Sequence, residues 1–179
     1  MKNRLNLRLL TVIIGGVLLT SCSEKYTSEV KDGVTIVSNQ DGAMLGYSAE
    51  SGITIISQDR YAFKDLNKNG TLDSYEDWRL PVADRAKDLA SQMSLEDISG
   101  LMLYSSHQSI PGSSRGFGAS QYGGKPFPES GALASDLSDD QKKFLTDDHL
   151  RHVLITSVES PVVAAQWNNN AQAFAEGLY

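Results

Sequence analysis

Three short runs of apolar and β-branched residues stand in the first third of the chain, each bounded by Gly, Asp, Asn or Ser. Residues 34–37 and 53–56 are Val-Thr-Ile-Val and Ile-Thr-Ile-Ile, and residues 44–47 form a third, weaker run between them. Runs of this composition favour strands, and their close spacing predicts a small sheet of meander type. The polar residues 23–32 before them are predicted to form a short tether.

Helical periodicity begins after residue 80. Pro81 suits the first position of a helix, and five apolar residues then follow on one helical face: Val82, Ala86, Leu89, Ala90 and Met93. Ser94 with Asp97 predicts the N-cap and first turn of a second helix, whose apolar face contains Ile98, Leu101 and Met102. We expect both apolar faces to pack into a core.

The second half of the chain predicts one long loop followed by further regular elements. Residues 105–136 are rich in Gly, Ser and Pro without a clear period, which is typical of a loop. Ser138 and Gln141 form a capping-box pattern, and residues 151–156 have the continuous apolar centre of a strand buried on both faces. Ser160 and Pro161 then begin a helix whose apolar face contains Ala164, Trp167, Ala171, Phe174 and Ala175.

A buried strand followed by a crossover helix predicts an α/β fold, because the crossover delivers the next parallel strand. We expect that strand after Gly177, whereas the sequence stops at Tyr179. The chain is therefore expected to contain only the opening part of a parallel α/β fold, truncated before the sheet is built. The strand at residues 151–156 is expected to lack its parallel neighbours.

The N-terminus predicts export. Three cations precede an apolar run at residues 9–19, which is too short for a comfortable membrane span and typical of a signal peptide. Leu19-Thr20-Ser21-Cys22 resembles the bacterial lipobox, in which the cysteine becomes the lipidated first residue of the mature protein. We predict a lipoprotein signal peptide at residues 1–21 and an anchor at Cys22 that faces the periplasm or the outer membrane. A cleaved secretory signal with a chance cysteine is the alternative.

The charge balance excludes one class of partner. The sequence has 16 Lys and Arg against 22 Asp and Glu, and removal of the signal takes away three cations, which leaves a net charge of −9. Nucleic-acid binding requires clustered Lys and Arg, so we expect no nucleic-acid partner. No second long apolar segment follows the signal, so we expect membrane attachment only through the lipid anchor.

A twelve-residue stretch, Asp65 to Glu76, has the spacing of an EF-hand-type calcium loop, with Gly70 at position 6. Leu72 at position 8 fits the usual apolar anchor. Oxygen donors occupy six positions of the loop, at Asp65, Asn67, Asn69, Thr71, Asp73 and Glu76. We predict a structural Ca²⁺ that joins the N-terminal sheet to the first helix. The alternative is a polar Asn-Gly turn followed by a helix cap.

Several stretches occur in an order typical of one enzyme family: Phe63–Gly70, Tyr75–Arg79, Arg85–Leu89, Met93–Asp97, Leu150–Ile155, Ala164–Asn169 and Gln172–Glu176. On these residues, segments 61–104 and 149–176 resemble the N-terminal part of glycoside hydrolase family 3, the β-glucosidase-type enzymes, in the lipoprotein form of Bacteroidetes. One departure is Ile98-Ser99-Gly100, where the family has a Lys followed by an aliphatic residue.

The resemblance implies a (β/α)8-type barrel, which needs about 250 residues. It divides the chain into the signal, a tether and small β segment at 22–60, the EF-hand-like loop at 61–80, and an incomplete barrel at 81–179. The family's retaining mechanism uses an Asp nucleophile and a carboxylic acid/base. Both lie downstream in the family, so the resemblance assigns no catalytic residue here. The complete enzyme is expected to hydrolyse β-linked oligosaccharides or glucosides, and this fragment alone is expected to be inactive.

A second hypothesis is a calcium-binding lipoprotein module that recognises a glycan or a dockerin-like partner without catalysis. The other chemistry-bearing residues do not decide between the two. The three histidines lack ligand spacing, and Glu159 suits a helix entry as well as a substrate contact. The reading frame after Tyr179 separates the hypotheses, because only the enzyme requires the rest of a barrel.

Overall fold

The computed structural model describes residues 23–108, 111, 121–155 and 157–178, so the predicted signal peptide and Cys22 lie outside the described residues. None of the described helices is long and apolar enough to cross a membrane. The elements are β1 (Tyr26–Lys31), β2 (Val34–Asn39), β3 (Met44–Ser48), β4 (Thr54–Gln58), β5 (Tyr61–Asp65), α1 (Val82–Gln92), α2 (Leu95–Leu101), β6 (Tyr104–Gln108), β7 (Gln121–Tyr122), β8 (Lys125–Pro126), α3 (Phe127–Ser130), α4 (Asp139–Asp147), β9 (His152–Ile155) and α5 (Pro161–Glu176).

The predicted tether at residues 23–32 is wrong, because most of it forms β1. This strand pairs antiparallel with β2 from Tyr26↔Asn39 to Lys31↔Val34. The two residues between the strands, Asp32 and Gly33, have φ values of 51° and 81°. An Asp-Gly pair with positive φ makes the tight turn that best matches strand twist, so the hairpin forms although β1 is polar and largely exposed.

The predicted single meander is two sheets. Strands β1, β2 and β3 form one antiparallel sheet, whereas β4 pairs with β5 in a separate hairpin. Asn39 joins them, since its side-chain oxygen accepts from Ala62 N at 2.8 Å and its amide donates to Ala62 O at 3.1 Å. Trp78 covers the junction, stacking on Phe63 with ring centroids 5.4 Å apart. The junction buries Val37 and Phe63 almost completely.

The helix starts are close to those predicted. Helix α1 begins at Val82, one residue after the predicted first position, so Pro81 is its N-cap. The capping boxes at Ser94 and Ser138 are both complete, and the Ser160 hydroxyl accepts from Val163 N at the start of α5. These bonds satisfy N–H groups that have no partner within the helix.

The prediction of one unbroken loop at residues 105–136 is wrong, because β6, β7, β8 and α3 fall within or at the edge of it. Strand β6 lies parallel to β9, with Tyr104 opposite His152 and Gln108 opposite Ile155. The strand predicted at residues 151–156 therefore has a parallel neighbour, and this neighbour precedes it in the chain. Together β6, α4 and β9 form a parallel β-α-β unit, which confirms the α/β class.

The described residues contain no closed barrel; their only parallel pair is β6 with β9. A core cluster of Leu137, Leu145 and Trp167 packs α4 against α5. The apolar faces predicted for the first two helices are largely exposed, and no residue of α1 is buried. Val82 and Met102 are 77% and 80% exposed, so these helices present apolar surface that the described part of the chain does not cover.

Candidate metal loop and its surroundings

The loop from Asp65 to Glu76 begins at the last residue of β5, so a buried hairpin fixes its first position. Two residues take the left-handed backbone conformation that the turn requires, Lys68 with φ 59° and Gly70 with φ 77°. A glycine adopts this conformation without the steric cost that a Cβ brings. Gly70 therefore sits where the calcium-loop spacing places it.

The carboxylate of Asp65 organises the first half of the loop. Its two oxygens accept hydrogen bonds from Asn69 N and Gly70 N, each at 3.0 Å. The Thr54 hydroxyl, on the neighbouring strand, donates to it at 3.3 Å. These bonds wrap the backbone around position 1, as a short polar side chain does in an Asx turn. Asp65 is only 2% exposed, so its bonds lie in a largely desolvated site.

Three predicted ligand side chains converge on one point. The side-chain amides of Asn67 and Asn69 donate to the same oxygen of Asp73, Oδ2, at 2.7 Å and 2.9 Å. The amide oxygen of Asn69 also accepts from the backbone N–H and the hydroxyl of Thr71, both at 2.7 Å. Positions 3, 5, 7 and 9 of the loop are therefore gathered into one network.

Glu76 closes the loop. Its Oε1 accepts from Leu66 N at 2.6 Å and its Oε2 accepts from Asp73 N at 3.0 Å. The carboxylate at position 12 of the loop therefore links Leu66 at position 2 to Asp73 at position 9. Bonds to an ionised carboxylate are about twice as strong as those between neutral groups. We name this pair of bonds the Glu76 clip.

The loop concentrates negative charge. Asp65 and Glu76 are 2% and 5% exposed. The ion pairs found among the described residues engage other carboxylates, namely Glu176, Asp59, Asp77 and Asp97. Burial raises the pKa of the Tyr75 phenol, and the charges of Glu76, Asp73 and Asp65 raise it further. Hydrogen bonds hold the carboxylates of Asp65, Asp73 and Glu76 within this one short loop.

The donor set has the chemistry of a hard-cation site. No group of three or more His, Cys, Asp or Glu side chains in the described residues is gathered closely enough to hold a metal ion. By residue type, the loop sequence offers a mixed oxygen set of three carboxylates, two side-chain amides and the carbonyl of Thr71. Calcium takes six to eight oxygen ligands of this mixed kind. The residues therefore fit calcium by type and order, and the metal assignment stays a prediction.

The exit of the loop docks the first helix. Tyr75 N donates to the Asp88 carboxylate at 3.0 Å, and Arg85 Nε donates to Tyr75 O at 3.1 Å. Both partners lie on α1, so the loop connects the β5 hairpin to this helix directly. The spacing of the calcium loop gave no sign of these bonds. Tyr75 and Arg85 belong to the stretches Tyr75–Arg79 and Arg85–Leu89, which also contain Asp88. The resemblance of these stretches to the enzyme family was the available signal.

A second group that sequence reasoning missed lies just after the loop. Arg79 pairs with Asp77 at 2.7 Å and with Asp59 at 3.0 Å, and its guanidinium lies 4.7 Å from the ring centre of Phe63. Hydrogen bonding to Arg79 is the main reason that the pKa of Asp77 lies below its usual range. This group fastens the loop exit to the β4–β5 turn.

The remaining chemistry-bearing residues form no catalytic constellation among the described side chains. His149 Nδ1 lies 2.6 Å from an Asp97 oxygen and links α2 to the approach of β9. His152 and Glu159 are exposed. The side chains of Ser105, His107 and their neighbours lie outside the described residues. No catalytic residue was predicted in this chain.

A comparison with family models gives no match. Among curated proteins, the chain is similar to a periplasmic beta-glucosidase/beta-xylosidase of Dickeya chrysanthemi, with 37% identity over 127 residues. The matched region covers 70% of this chain and 17% of the relative, so the chain spans about a sixth of the length of that protein. The resemblance to β-glucosidase-type glycosidases, inferred from the order of short stretches, is confirmed by this similarity.

Proposed function

We propose that this chain, a relative of a periplasmic β-glucosidase/β-xylosidase, is the N-terminal part of a glycoside hydrolase family 3 enzyme. The complete protein hydrolyses β-linked glucosides or xylosides. The observation that carries the proposal is the 37% identity over 70% of the chain. A similarity over 127 residues exceeds what a shared short motif produces.

Two structural features support the proposal. The parallel β6–α4–β9 unit followed by α5 is the repeating unit from which a (β/α)8 barrel is built. The exposed apolar faces of α1 and α2, with Val82 77% exposed, provide surface against which further elements can pack. Both features suit a domain that extends beyond these residues.

Hydrolysis of nitrophenyl β-glucoside and nitrophenyl β-xyloside tests the proposal. The chain of 179 residues is expected to release no nitrophenol, because the family's nucleophile and acid/base have no matching positions here. The protein encoded by the full reading frame is expected to cleave at least one of the two substrates. Cleavage by the short chain, or a full-length protein inactive on both, contradicts the proposal.

In this proposal, the Asp65–Glu76 loop is a structural calcium site. Support comes from the left-handed Gly70, the hydrogen bonds that the Asn67 and Asn69 amides donate to Asp73 Oδ2, and the burial of the Asp65 and Glu76 carboxylates. Asp65, Asn67, Asn69, Thr71, Asp73 and Glu76 hold the ion. When bound, calcium neutralises the charge of the loop and takes no part in bond cleavage.

Calorimetric titration with calcium tests this calcium site. Extracellular loops of this kind bind with dissociation constants of roughly 0.1–1 mM, so heat is expected at millimolar calcium. Glu76→Gln is expected to abolish the heat because it removes the bidentate carboxylate. The exposed Glu29→Gln is the matched control and keeps the heat of the unchanged protein. Absence of heat in the unchanged protein rejects the metal site.

Export through a lipid anchor completes the proposal. The relative is described as periplasmic, which fits an exported protein. Cys22 carries the anchor and places the enzyme at the periplasmic or outer-membrane face. Metabolic labelling with a radioactive fatty acid is expected to mark the protein and to fail in Cys22→Ser. Equal labelling of both proteins excludes Cys22 as the lipidated residue.

A further inference from the structure

An open cleft of about 920 Å³ is lined by none of the residues of the Asp65–Glu76 loop. Its walls come from the Asp32–Gly33 turn of the first sheet, the β7–β8 hairpin, the segment after α3, and the second half of α5. Ligand pockets in proteins occupy about 300–1,000 Å³, so the cleft has room for a ligand of several rings.

One face of α5 supplies the floor of the cleft. Gln166, Asn169 and Asn170 line it at helical spacing, and Ala173 continues the same row. Each side-chain amide offers two donors and an acceptor, which matches a hydroxyl that both donates and accepts. The position of Asn170 is fixed by a bond from its amide to Ser135 O at 2.9 Å. The floor is therefore a partly ordered row of amides.

The lining of the cleft also contains an aromatic residue. Tyr122 lines the cleft, and its ring centroid lies 5.3 Å from that of Phe127. The hairpin that carries it is anchored, since the Asp139 carboxylate accepts from Gly123 N at 3.0 Å and Gly124 N at 2.8 Å. An aromatic ring and a row of amides in the lining of one cleft suit a ligand with an apolar ring face and a polar edge.

The charges of the lining select against anions. Asp32, Glu50 and Asp136 line the cleft, and Lys142 is the cation among its described lining residues. Carboxylates repel phosphate and carboxylate ligands, whereas they accept hydrogen bonds from neutral hydroxyls. Burial and the charge of Asp136 raise the pKa of Tyr122, which keeps its phenol neutral and able to donate.

We infer that this cleft binds a neutral saccharide between the amide row of α5 and Tyr122. The preference for a sugar over other neutral polyols rests on the proposed function, whereas the amides, the aromatic ring and the charge balance stand without it. The cleft holds and orients carbohydrate and performs no covalent step.

Titration of the ¹⁵N-labelled chain with cellobiose, xylobiose and the acyclic polyol sorbitol tests the inference by NMR. Cellobiose or xylobiose is expected to shift the side-chain amide signals of Asn169 and Asn170 and the backbone signals of Gly123. Asn169→Ala and Asp136→Asn are each expected to weaken binding by about threefold to tenfold, the loss of one hydrogen bond. Asn168→Ala, the adjacent residue lining a different cavity, is the matched control and stays within about twofold.

Absence of shifts with both disaccharides overturns the inference, as do shifts confined to other parts of the molecule. Sorbitol binding as tightly as the disaccharides also overturns it, because the site then lacks selectivity for a ring. Unchanged binding in Asn169→Ala and Asp136→Asn, with both variants folded by their spectra, has the same consequence. A binding failure rejects the saccharide cleft whatever the hydrolysis assay gives, and a hydrolysis failure leaves the binding result in force.

Discussion

Replacing Glu76 by Gln measures how much the Glu76 clip contributes to stability before any metal binds. Without metal, the Glu76 carboxylate accepts hydrogen bonds from Leu66 N at 2.6 Å and from Asp73 N at 3.0 Å. Glu76 is only 5% exposed. The glutamine amide oxygen can keep one of these bonds, now with a neutral acceptor. Its NH2 group then faces the other backbone N–H, which is left buried without an acceptor.

The magnitude follows from these two changes. A buried N–H without an acceptor costs about 1–3 kcal/mol, and exchanging a charged for a neutral acceptor costs roughly 1 kcal/mol more. We therefore expect Glu76→Gln to lower the free energy of unfolding by about 2–4 kcal/mol. In a domain of this size the corresponding fall in Tm is roughly 5–15 °C.

The assay is urea and thermal unfolding followed by circular dichroism, first in chelator and then in about 10 mM calcium. With a dissociation constant of roughly 0.1–1 mM, that calcium adds about 1.4–2.7 kcal/mol to the unchanged protein. The Glu76→Gln variant gains nothing. The exposed Glu29→Gln variant is expected to stay within about 0.5 kcal/mol of the unchanged protein in both conditions.

Two results refute this reasoning separately. If Glu76→Gln in chelator is as stable as the Glu29→Gln control, the two backbone bonds do not hold the loop. If calcium stabilises Glu76→Gln as much as the unchanged protein, the ion does not bind through this carboxylate. Either failure leaves the other half of the argument intact, because the clip and the metal site are measured in different solutions.

Three further substitutions test contacts of the fold. Two lie just after the loop, and the third lies between α2 and His149. Trp78→Ala removes a ring stacked in the hairpin core and is expected to cost about 3–5 kcal/mol of unfolding free energy in urea. The pKa of Asp77 lies below its ordinary value of 3.8, chiefly through Arg79, so its contribution to stability is present above that value and is lost as the pH falls through the folded pKa. Asp77→Asn is therefore expected to flatten the loss of stability below pH 3.8, measured by urea unfolding across the acid range. Gly100→Ala places a Cβ against the backbone carbonyl of His149 and is expected to destabilise the chain by about 1–3 kcal/mol in thermal unfolding. Unchanged unfolding in any one variant contradicts the packing or pairing inferred at that residue.

Local chemistry made several features predictable from the sequence. The serine caps at residues 94, 138 and 160 were correct because a hydroxyl bonds an N–H only three residues away. The bonds within the Asp65–Glu76 loop also join residues close in the chain. Its assignment as a calcium site stays a prediction.

The missed features depend on distant partners. Strand β1 has no apolar stripe, and its ladder with β2 supplies the bonds that hold it. Strand β6 reads Tyr-Ser-Ser-His-Gln, which carries no strand signal, and it becomes a strand by lying against β9. The exposure of the apolar faces of α1 and α2 was likewise unpredictable, because periodicity shows which face is apolar but not what covers it.

By itself, the sequence determined the elements whose stabilising bonds are local and, through a recurring order of short stretches, the class of enzyme that the chain resembles. The tertiary structure alone decided that the strands divide into separate sheets, that β6 is the neighbour of β9, and that the amides of α5 and Tyr122 line one cleft. The physical reason is separation along the chain. A pattern of residues fixes the local backbone, whereas the pairing of distant segments is set by packing and backbone hydrogen bonds that no short stretch contains.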